Sequence, residues 1–380
     1  MQRLKVIKNM ELIFNAELKN DTPVFLGGYD TLYYRDGSSE GLRSQSVKGL
    51  MRYWMRVYYA TQEYNLDEIS EKTNNILGGK SKDGKELITS KVKISCYTRD
   101  MPSFILPMDI PRINLLKLGK YQLNYAEELE SELSLYNRDL DENHKRLVIG
   151  SLVTGIILSG IGKMSRRGFG CFSMKIKKDC TGIFKENING LFESDNLDDK
   201  KTSIINIIKE TRKCIQPKRN YGNVLPPIHS FSHCKMYIIK VQDRMKAIQD
   251  LQEFTVRSLR QRQIRPDNIT NQHHAWFLGL PREQRGTGYT GYIYINNNKN
   301  KIERRASPMF IAVHNNFAII TIFKSKDWPT QILWKGKNKP QPIDVISAIN
   351  NAYNVINSEL NIYLQNKRYQ VVEIDSNQLN

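Results

Sequence analysis

Apolar and polar residues alternate in short segments of the first half of the chain, and two longer segments repeat their apolar positions with a helical period. The alternation over residues 10–18, 91–97 and 171–176 predicts three half-buried strands. The helical period over residues 43–60 and 141–158 predicts two helices. This half is therefore predicted to contain strands that alternate with two principal helices.

The second half of the chain repeats this arrangement. A strand is predicted over residues 235–241, and a helix begins near residue 243. Two apolar runs, 309–313 and 317–323, flank a short polar turn and predict a β-hairpin. A final helix is predicted over residues 342–365. Because each half has strands with two principal helices, the chain is interpreted as a diverged internal duplication.

The predicted helix over residues 43–60 carries four cations and no carboxylate. Lys48, Arg52 and Arg56 recur every fourth residue and therefore share one stripe. The opposite face is apolar and contains Leu50, Trp54, Val57 and Tyr58. Because like charges at helical spacing repel when no acid compensates them, the basic stripe indicates an anion-binding face. The alternative is a solvated surface stripe, and Trp54 is predicted to be structural core packing in either case.

Composition supports an anionic partner. The 380 residues include 57 Lys and Arg against 39 Asp and Glu, which gives a net charge of +18. Such an imbalance is typical of proteins that meet nucleic acid or an anionic surface. The uncharged run over residues 147–162 is too short to span a bilayer, and the first residues lack a signal-peptide core. We therefore expect a cytoplasmic protein. The length of 380 residues favours two domains over one.

Neither a disulfide framework nor a metal site is predicted. The five cysteines are widely spaced and form no CxxC pair. The nearest approach to a metal motif is the segment HSFSHC, residues 229–234, which lacks a second ligand pair at zinc-finger spacing. No cofactor is expected.

A glycine-rich loop, GIGKMSRRGFG, occupies residues 160–170 between a predicted helix and a predicted strand. This order is the reverse of a dinucleotide-binding turn, so the loop is not a Rossmann fingerprint. Its glycines let a ligand approach the backbone; they are Gly160, Gly162, Gly168 and Gly170. Lys163, Arg166 and Arg167 add charge beside the exposed amides, which favours phosphate binding. The alternative is a tight turn with solvated basic residues.

Two segments break the regular pattern. Residues 101–140 contain three prolines followed by a mixed helical stretch, and they are interpreted as an insertion or extended loop. Residues 177–235 contain an acidic patch, one short helix near 204–213 and many turn formers. We therefore predict a boundary between a domain over residues 1–215 and a second over residues 216–380.

Four motifs in this order resemble the RAMP superfamily of CRISPR proteins. They are GG at 27–28, LRSQSVKGLMRYWMR at 42–56, the glycine-rich loop at 160–170, and RRASP at 304–308. More narrowly, they are similar to the first subunit of the Cmr (type III-B) RNA-guided effector complex. The matching segments lie in both halves of the chain.

The resemblance implies an α+β fold with two ferredoxin-like (RRM-like) domains, which have antiparallel sheets and are linked by an irregular segment. It also implies a non-catalytic subunit of a ribonucleoprotein effector for antiviral RNA silencing, which contacts guide or target RNA and other Cmr subunits. Single-stranded RNA is held by cationic grooves that follow its phosphates. The residues predicted to contact RNA are Arg43, Lys48, Arg52, Arg56, Lys163, Arg166, Arg167, Arg304 and Arg305.

Two other functions remain open at this level. Some RAMP relatives are metal-independent endoribonucleases that process CRISPR RNA, and these need a general base such as histidine. His144 is the first candidate, followed by His273, His274 and His314. Alternatively, the basic patches dock acidic partner subunits without touching RNA.

Overall fold

The structure is a computed structural model. It describes residues 10–26, 41–99, 103–105, 124–218, 224–256, 274–280, 282–284, 289–295, 298–302, 305–329, 331–335 and 341–380. Arg304, His273 and the GG pair at 27–28 lie outside these ranges. In the described part of the chain, no helix is long and apolar enough to cross a membrane.

The first unit is a four-stranded antiparallel sheet covered on one face by helices. Its elements are β1 (Glu11–Asn20), α1 (Ser44–Thr61), α2 (Leu66–Leu77), β2 (Gly79–Lys80), β3 (Leu87–Ile88), β4 (Val92–Thr98), β5 (Ser103–Ile105), β6 (Asn124–Ala126), β7 (Glu130–Asn137), α3 (Glu142–Leu158) and β8 (Phe172–Asp179). The strand order β4-β7-β1-β8, with helices after the first and third strands, is the βαββαβ topology of a ferredoxin-like fold.

Two helices follow the first sheet, α4 (Phe184–Glu193) and α5 (Leu197–Arg212). The sequence predicted only one short helix in this region. In α4, the residues Phe184, Ile188 and Leu191 recur at helical spacing and are completely buried. The connection between the units is therefore largely helical before it becomes irregular.

The second unit repeats the topology of the first. Its elements are β9 (Cys234–Lys240), α6 (Arg244–Val256), β10 (Arg282–Gln284), β11 (Tyr289–Ile295), β12 (Asn298–Ile302), β13 (Met309–Val313), β14 (Phe317–Phe323), β15 (Gln331–Lys335), β16 (Gln341–Asp344), α7 (Val345–Asn366), β17 (Val371–Asp375) and α8 (Ser376–Leu379). The main sheet has the order β13-β14-β9-β17, and β10, β11, β12, β15 and β16 form an accessory sheet. The predicted α+β class with two ferredoxin-like units is confirmed.

The sheet of the second unit is buried on both faces. On β9, Met236 and Ile238 join the hydrophobic core of the first unit, whereas Tyr237 and Ile239 join a second core that includes α6 and α7 residues. Every residue of β13 and β14 is consequently buried, which explains why the segment 317–323 is apolar except at Thr321. The shared core fixes the two units against each other.

One expectation about residues 101–140 was wrong. Residues 130–137 form β7, a central strand of the first sheet, where a mixed helical stretch was expected. Leu133 and Leu135 point into the core, and Glu130 and Glu132 are exposed, so the segment has the alternation of a half-buried strand. The domain boundary at 215/216 stays a prediction.

Candidate nucleic-acid interface

The glycine-rich loop is a compact hairpin between α3 and β8. Two backbone hydrogen bonds of 2.7 Å close it, from Gly160 N–H to the Ser165 carbonyl and from Ile161 N–H to the Gly170 carbonyl. A Cβ on Gly160 would stand 2.1 Å from the carbonyl oxygen of Phe169, so only glycine fits there. The close packing of the backbone explains the need for glycine in this loop.

The loop also docks onto the edge of the second sheet. Ile311 of β13 donates a backbone hydrogen bond of 3.2 Å to the Arg166 carbonyl, and Gly168 N–H donates one of 3.0 Å to the Ile311 carbonyl. The Gln252 side-chain amide in α6 donates a bond of 2.8 Å to the Arg167 carbonyl. The loop therefore lies at the junction of the two units.

A hollow of about 490 Å³ opens between the glycine-rich loop and the N-terminal half of α1. Three predicted RNA-contacting residues line it, Arg43, Lys163 and Arg166, together with Gly160 and Gly162. Its described lining residues include no carboxylate. We call this hollow the junction cleft, and its chemistry is that of an anion site.

The start of α1 adds to the positive potential of the junction cleft. Arg43 is the N-cap residue; it makes no side-chain capping bond to the helix, and no acidic residue occurs in the first turn. Backbone N–H groups at a helix start carry partial positive charge that favours an anion. Arg43 and the N–H groups at the start of α1 therefore both favour an anion in the junction cleft.

Arg166 is held against aromatic rings from both units. Its guanidinium carbon lies 4.8 Å from the ring centroid of Tyr53 in α1 and 4.5 Å from that of Phe310 in β13. Both distances are in the range of a cation–π interaction. The sequence did not single out Phe310, and it indicated for Tyr53 only a position near the boundary between the two faces of the helix.

Two other predicted arginines do not line the junction cleft. The side chain of Arg305 is 11% exposed and forms a salt bridge of 2.9 Å with Asp327. Arg167 follows Arg166 in the loop, and its backbone pairs with Ile311. That either residue contacts RNA stays a prediction.

The basic stripe of α1 lies apart from the junction cleft. Lys48 lines a different hollow of about 870 Å³ together with Lys93 and Arg138, two basic residues that the sequence did not indicate. Burial lowers the pKa of the Arg56 guanidinium, and its Nε is buried without a hydrogen-bond partner. Trp54, on the opposite face, is completely buried.

Arg52 in this stripe binds the end of α2. Its guanidinium donates hydrogen bonds to Asn74 Oδ1 over 2.6 Å and to the carbonyl oxygens of Gly78 and Leu77 over 2.6 and 3.2 Å. These carbonyls end a helix and have no intrahelical donor. Arg52 therefore has a structural role, and its contact with RNA stays a prediction.

Residues 17–173 match the model of the RAMP superfamily. This match confirms the resemblance to the RAMP superfamily, and it runs from within β1 to the start of β8. No curated protein matches the sequence.

Solved structures match over nearly the whole chain. The crystal structure of Cmr1 from Pyrococcus furiosus in its apo form has a TM-score of 0.56 at 20% identity, covering 96% of this chain and 99% of that one. A chain of Type III-B Cmr-beta bound to cognate target RNA and AMPPnP, in the presence of ssDNA, has a TM-score of 0.59 at 14% identity, covering 92% and 99%. A chain of Cmr-beta bound to cognate target RNA has a TM-score of 0.54 at 15% identity, covering 91% and 99%. At these identities the likeness concerns the fold.

The three histidines suggested for a RAMP-type endoribonuclease that lie in the described ranges do not line the junction cleft. His144 is bonded to Asp141 over 2.8 Å at the start of α3 and lines a separate hollow of about 260 Å³. His274 and His314 are buried. None of these three side chains is positioned to act on an RNA in the junction cleft.

The segment HSFSHC packs on α1 and forms no metal site. Among the described residues, no group of three or more His, Cys, Asp or Glu side chains could hold a metal ion. Phe231 stacks on Trp54 with ring centroids 5.9 Å apart, and its backbone N–H donates a bond of 3.0 Å to Thr61 Oγ1. His229 is buried beside Tyr53.

Proposed function

We propose that this chain is a non-catalytic RNA-binding subunit of a type III-B CRISPR (Cmr) ribonucleoprotein effector, which takes part in guide or target RNA binding for antiviral RNA silencing. The observation that carries the proposal is the junction cleft, where Arg43, Lys163 and Arg166 converge and no described lining residue is a carboxylate. The rest of the proposal rests on fold and on charge.

The chemistry of the junction cleft suits a phosphodiester backbone. Arg43 and Arg166 offer planar guanidinium groups, and Lys163 is exposed on the loop. Arginine pairs with phosphate through two N–H donors, and lysine acts as a point charge. Contacts of this kind position an RNA strand without reading its sequence.

The comparisons support the biological setting. The chain shares its fold with Cmr1, and two of the similar structures are Cmr-beta complexes bound to cognate target RNA. By analogy, the RNA is a guide or target strand, the protein partners are other Cmr subunits, and the complex acts in the cytoplasm. The net charge of +18 favours such an RNA-protein assembly.

The experiment that tests this proposal is purification of the tagged full chain from its source cells at moderate salt. Mass spectrometry identifies the proteins that co-purify, and sequencing identifies the bound RNA. The proposal predicts several RAMP-type subunits and short RNAs that share a constant repeat-derived end. A single protein that carries unrelated RNA or none would contradict it. Parallel purification of the untagged strain controls for non-specific binding by a basic chain.

A further inference from the structure

A chain of contacts connects Arg305 in the second unit to Arg166 at the junction cleft. Nη2 of Arg305 lies 3.4 Å from Nε2 of His229, and Nδ1 of His229 is hydrogen-bonded to the hydroxyl of Tyr53. The Tyr53 ring in turn lies under the Arg166 guanidinium. This series of contacts runs from the second unit to the glycine-rich loop of the first unit.

The protonation state of His229 determines which group donates each hydrogen bond in this series of contacts. Burial lowers its pKa well below the usual range, and the charges of Arg305 and Arg166 lower it further, so the imidazole is neutral. A guanidinium can only donate, so Nε2 must be the nitrogen without a proton. The proton therefore lies on Nδ1, which donates to the Tyr53 hydroxyl oxygen.

Neighbouring residues fix both the His229 ring and the Arg305 side chain in place. The ring stacks on Phe323 of β14 with centroids 4.9 Å apart and planes 9° from parallel. Arg305 is itself fixed, because it pairs with Asp327, donates a bond of 2.5 Å to the Ala306 carbonyl and lies over the Trp328 ring at 4.7 Å. These contacts hold the His229 ring and the Arg305 guanidinium in one orientation each.

We infer that Arg305 and His229 are positioning residues, which act through Tyr53 at the lining of the junction cleft to hold the Arg166 guanidinium there, and so contribute to RNA affinity without touching RNA. The inference rests on the proposed function of the cleft. It assigns a role to the histidine of the HSFSHC segment, and it replaces a direct contact by Arg305 with an indirect one.

The test uses variants that remove hydrogen bonds but keep the rings. Tyr53→Phe retains the ring under Arg166, and His229→Phe retains the stack on Phe323. Binding of the full chain to a fluorescently labelled single-stranded RNA is measured by anisotropy over a series of salt concentrations. Each variant should raise Kd roughly two- to tenfold, the range expected for one net hydrogen bond. The double variant should bind no more weakly than the weaker single variant, because both changes remove the same bond.

The salt dependence separates positioning from contact. Arg166→Ala should lower the slope of log K against log salt by about 0.7, because one phosphate contact is lost from a single strand. Tyr53→Phe and His229→Phe should keep the wild-type slope. Tyr136→Phe, which removes a hydroxyl from β7, is the matched control and should bind as the wild type does. Thermal unfolding by circular dichroism confirms that each variant is folded at the temperature of the assay.

Two results overturn the inference, and they are distinguishable from each other. If Arg166→Ala lowers the slope while Tyr53→Phe and His229→Phe bind like the wild type or act additively, the positioning role is wrong and the junction cleft stands. If Arg166→Ala leaves the slope unchanged, the proposed function of the cleft is contradicted, and the positioning role is lost with it.

Discussion

His314 and Asp21 form a buried hydrogen bond between the two units, with 2.9 Å between Nδ1 and Oδ2. Both side chains are at most 1% exposed, and Nε2 of His314 donates to the Ile157 carbonyl over 2.9 Å. The other carboxylate oxygen of Asp21 is buried without a hydrogen-bond partner. His314 is therefore the main support of a polar group inside the shared core.

Replacement of His314 by alanine should destabilise the protein strongly. The Asp21 carboxyl would lose its partner in a buried site, which typically costs about 3–5 kcal/mol. Urea unfolding followed by tryptophan fluorescence measures the loss. His144→Ala, a half-exposed histidine, is the control and should change the free energy of unfolding by less than about 0.5 kcal/mol. Equal effects of the two substitutions would contradict the structural role of His314.

Arg52→Ala should lower stability by about 1–3 kcal/mol, because three acceptors at the end of α2 lose a charged donor. Lys48→Ala, one turn earlier on the same stripe, makes no such bond and should have little effect. Urea unfolding of both variants provides the comparison. If Arg52→Ala unfolds at the wild-type urea concentration, the guanidinium does not hold the end of α2.

Lys200 should make stability rise with pH in the alkaline range. Its side chain is buried, it donates a bond of 2.6 Å to the Leu191 carbonyl, and burial lowers its pKa from 10.5 to about 8. Between pH 8 and 10.5, the unfolded chain keeps this proton while the folded chain releases it, so folding becomes more favourable as pH rises. The difference in unfolding free energy between the wild type and Lys200→Met should change with pH in this window in favour of the wild type. Lys185→Met, at an exposed lysine, should show no such change.

The protein should not cleave RNA. The three described histidines suggested as a general base are His144, His274 and His314, and none of them lines the junction cleft. A labelled RNA with a CRISPR-repeat hairpin, incubated with an excess of the full chain, should remain intact on a denaturing gel with magnesium or with EDTA. Specific cleavage that His144→Ala abolishes would support the endoribonuclease alternative instead.

Periodicity alone predicted the main elements of both units but not how they pack. The run at 317–323 was correctly predicted as a strand, whereas its burial on both faces depends on helices more than a hundred residues away. β7 was missed although Leu133 and Leu135 alternate with less buried residues such as Glu132 and Ser134, because a proline-rich segment precedes it. Local patterns therefore predict helices and strands better than they predict how these elements pack against each other.

The residue types of the candidate site were predicted, but their grouping was not. Arg43, Lys163 and Arg166 share the junction cleft, whereas Arg52 binds carbonyls of a helix, α2, that the sequence did not indicate. Tyr53 and His229 are 176 residues apart in the sequence. No local spacing signals such a pair, so only the folded chain reveals it.

The most direct test of the account is the salt dependence of RNA binding by a variant with Arg43, Lys163 and Arg166 replaced by alanine. If the junction cleft holds the phosphates of a single strand, the slope of log K against log salt should fall by about 2, or about 0.7 for each lost contact. A variant with Lys48, Arg52 and Arg56 replaced provides the comparison at the basic stripe of α1. A cleft variant that binds RNA with the wild-type slope would contradict the central claim.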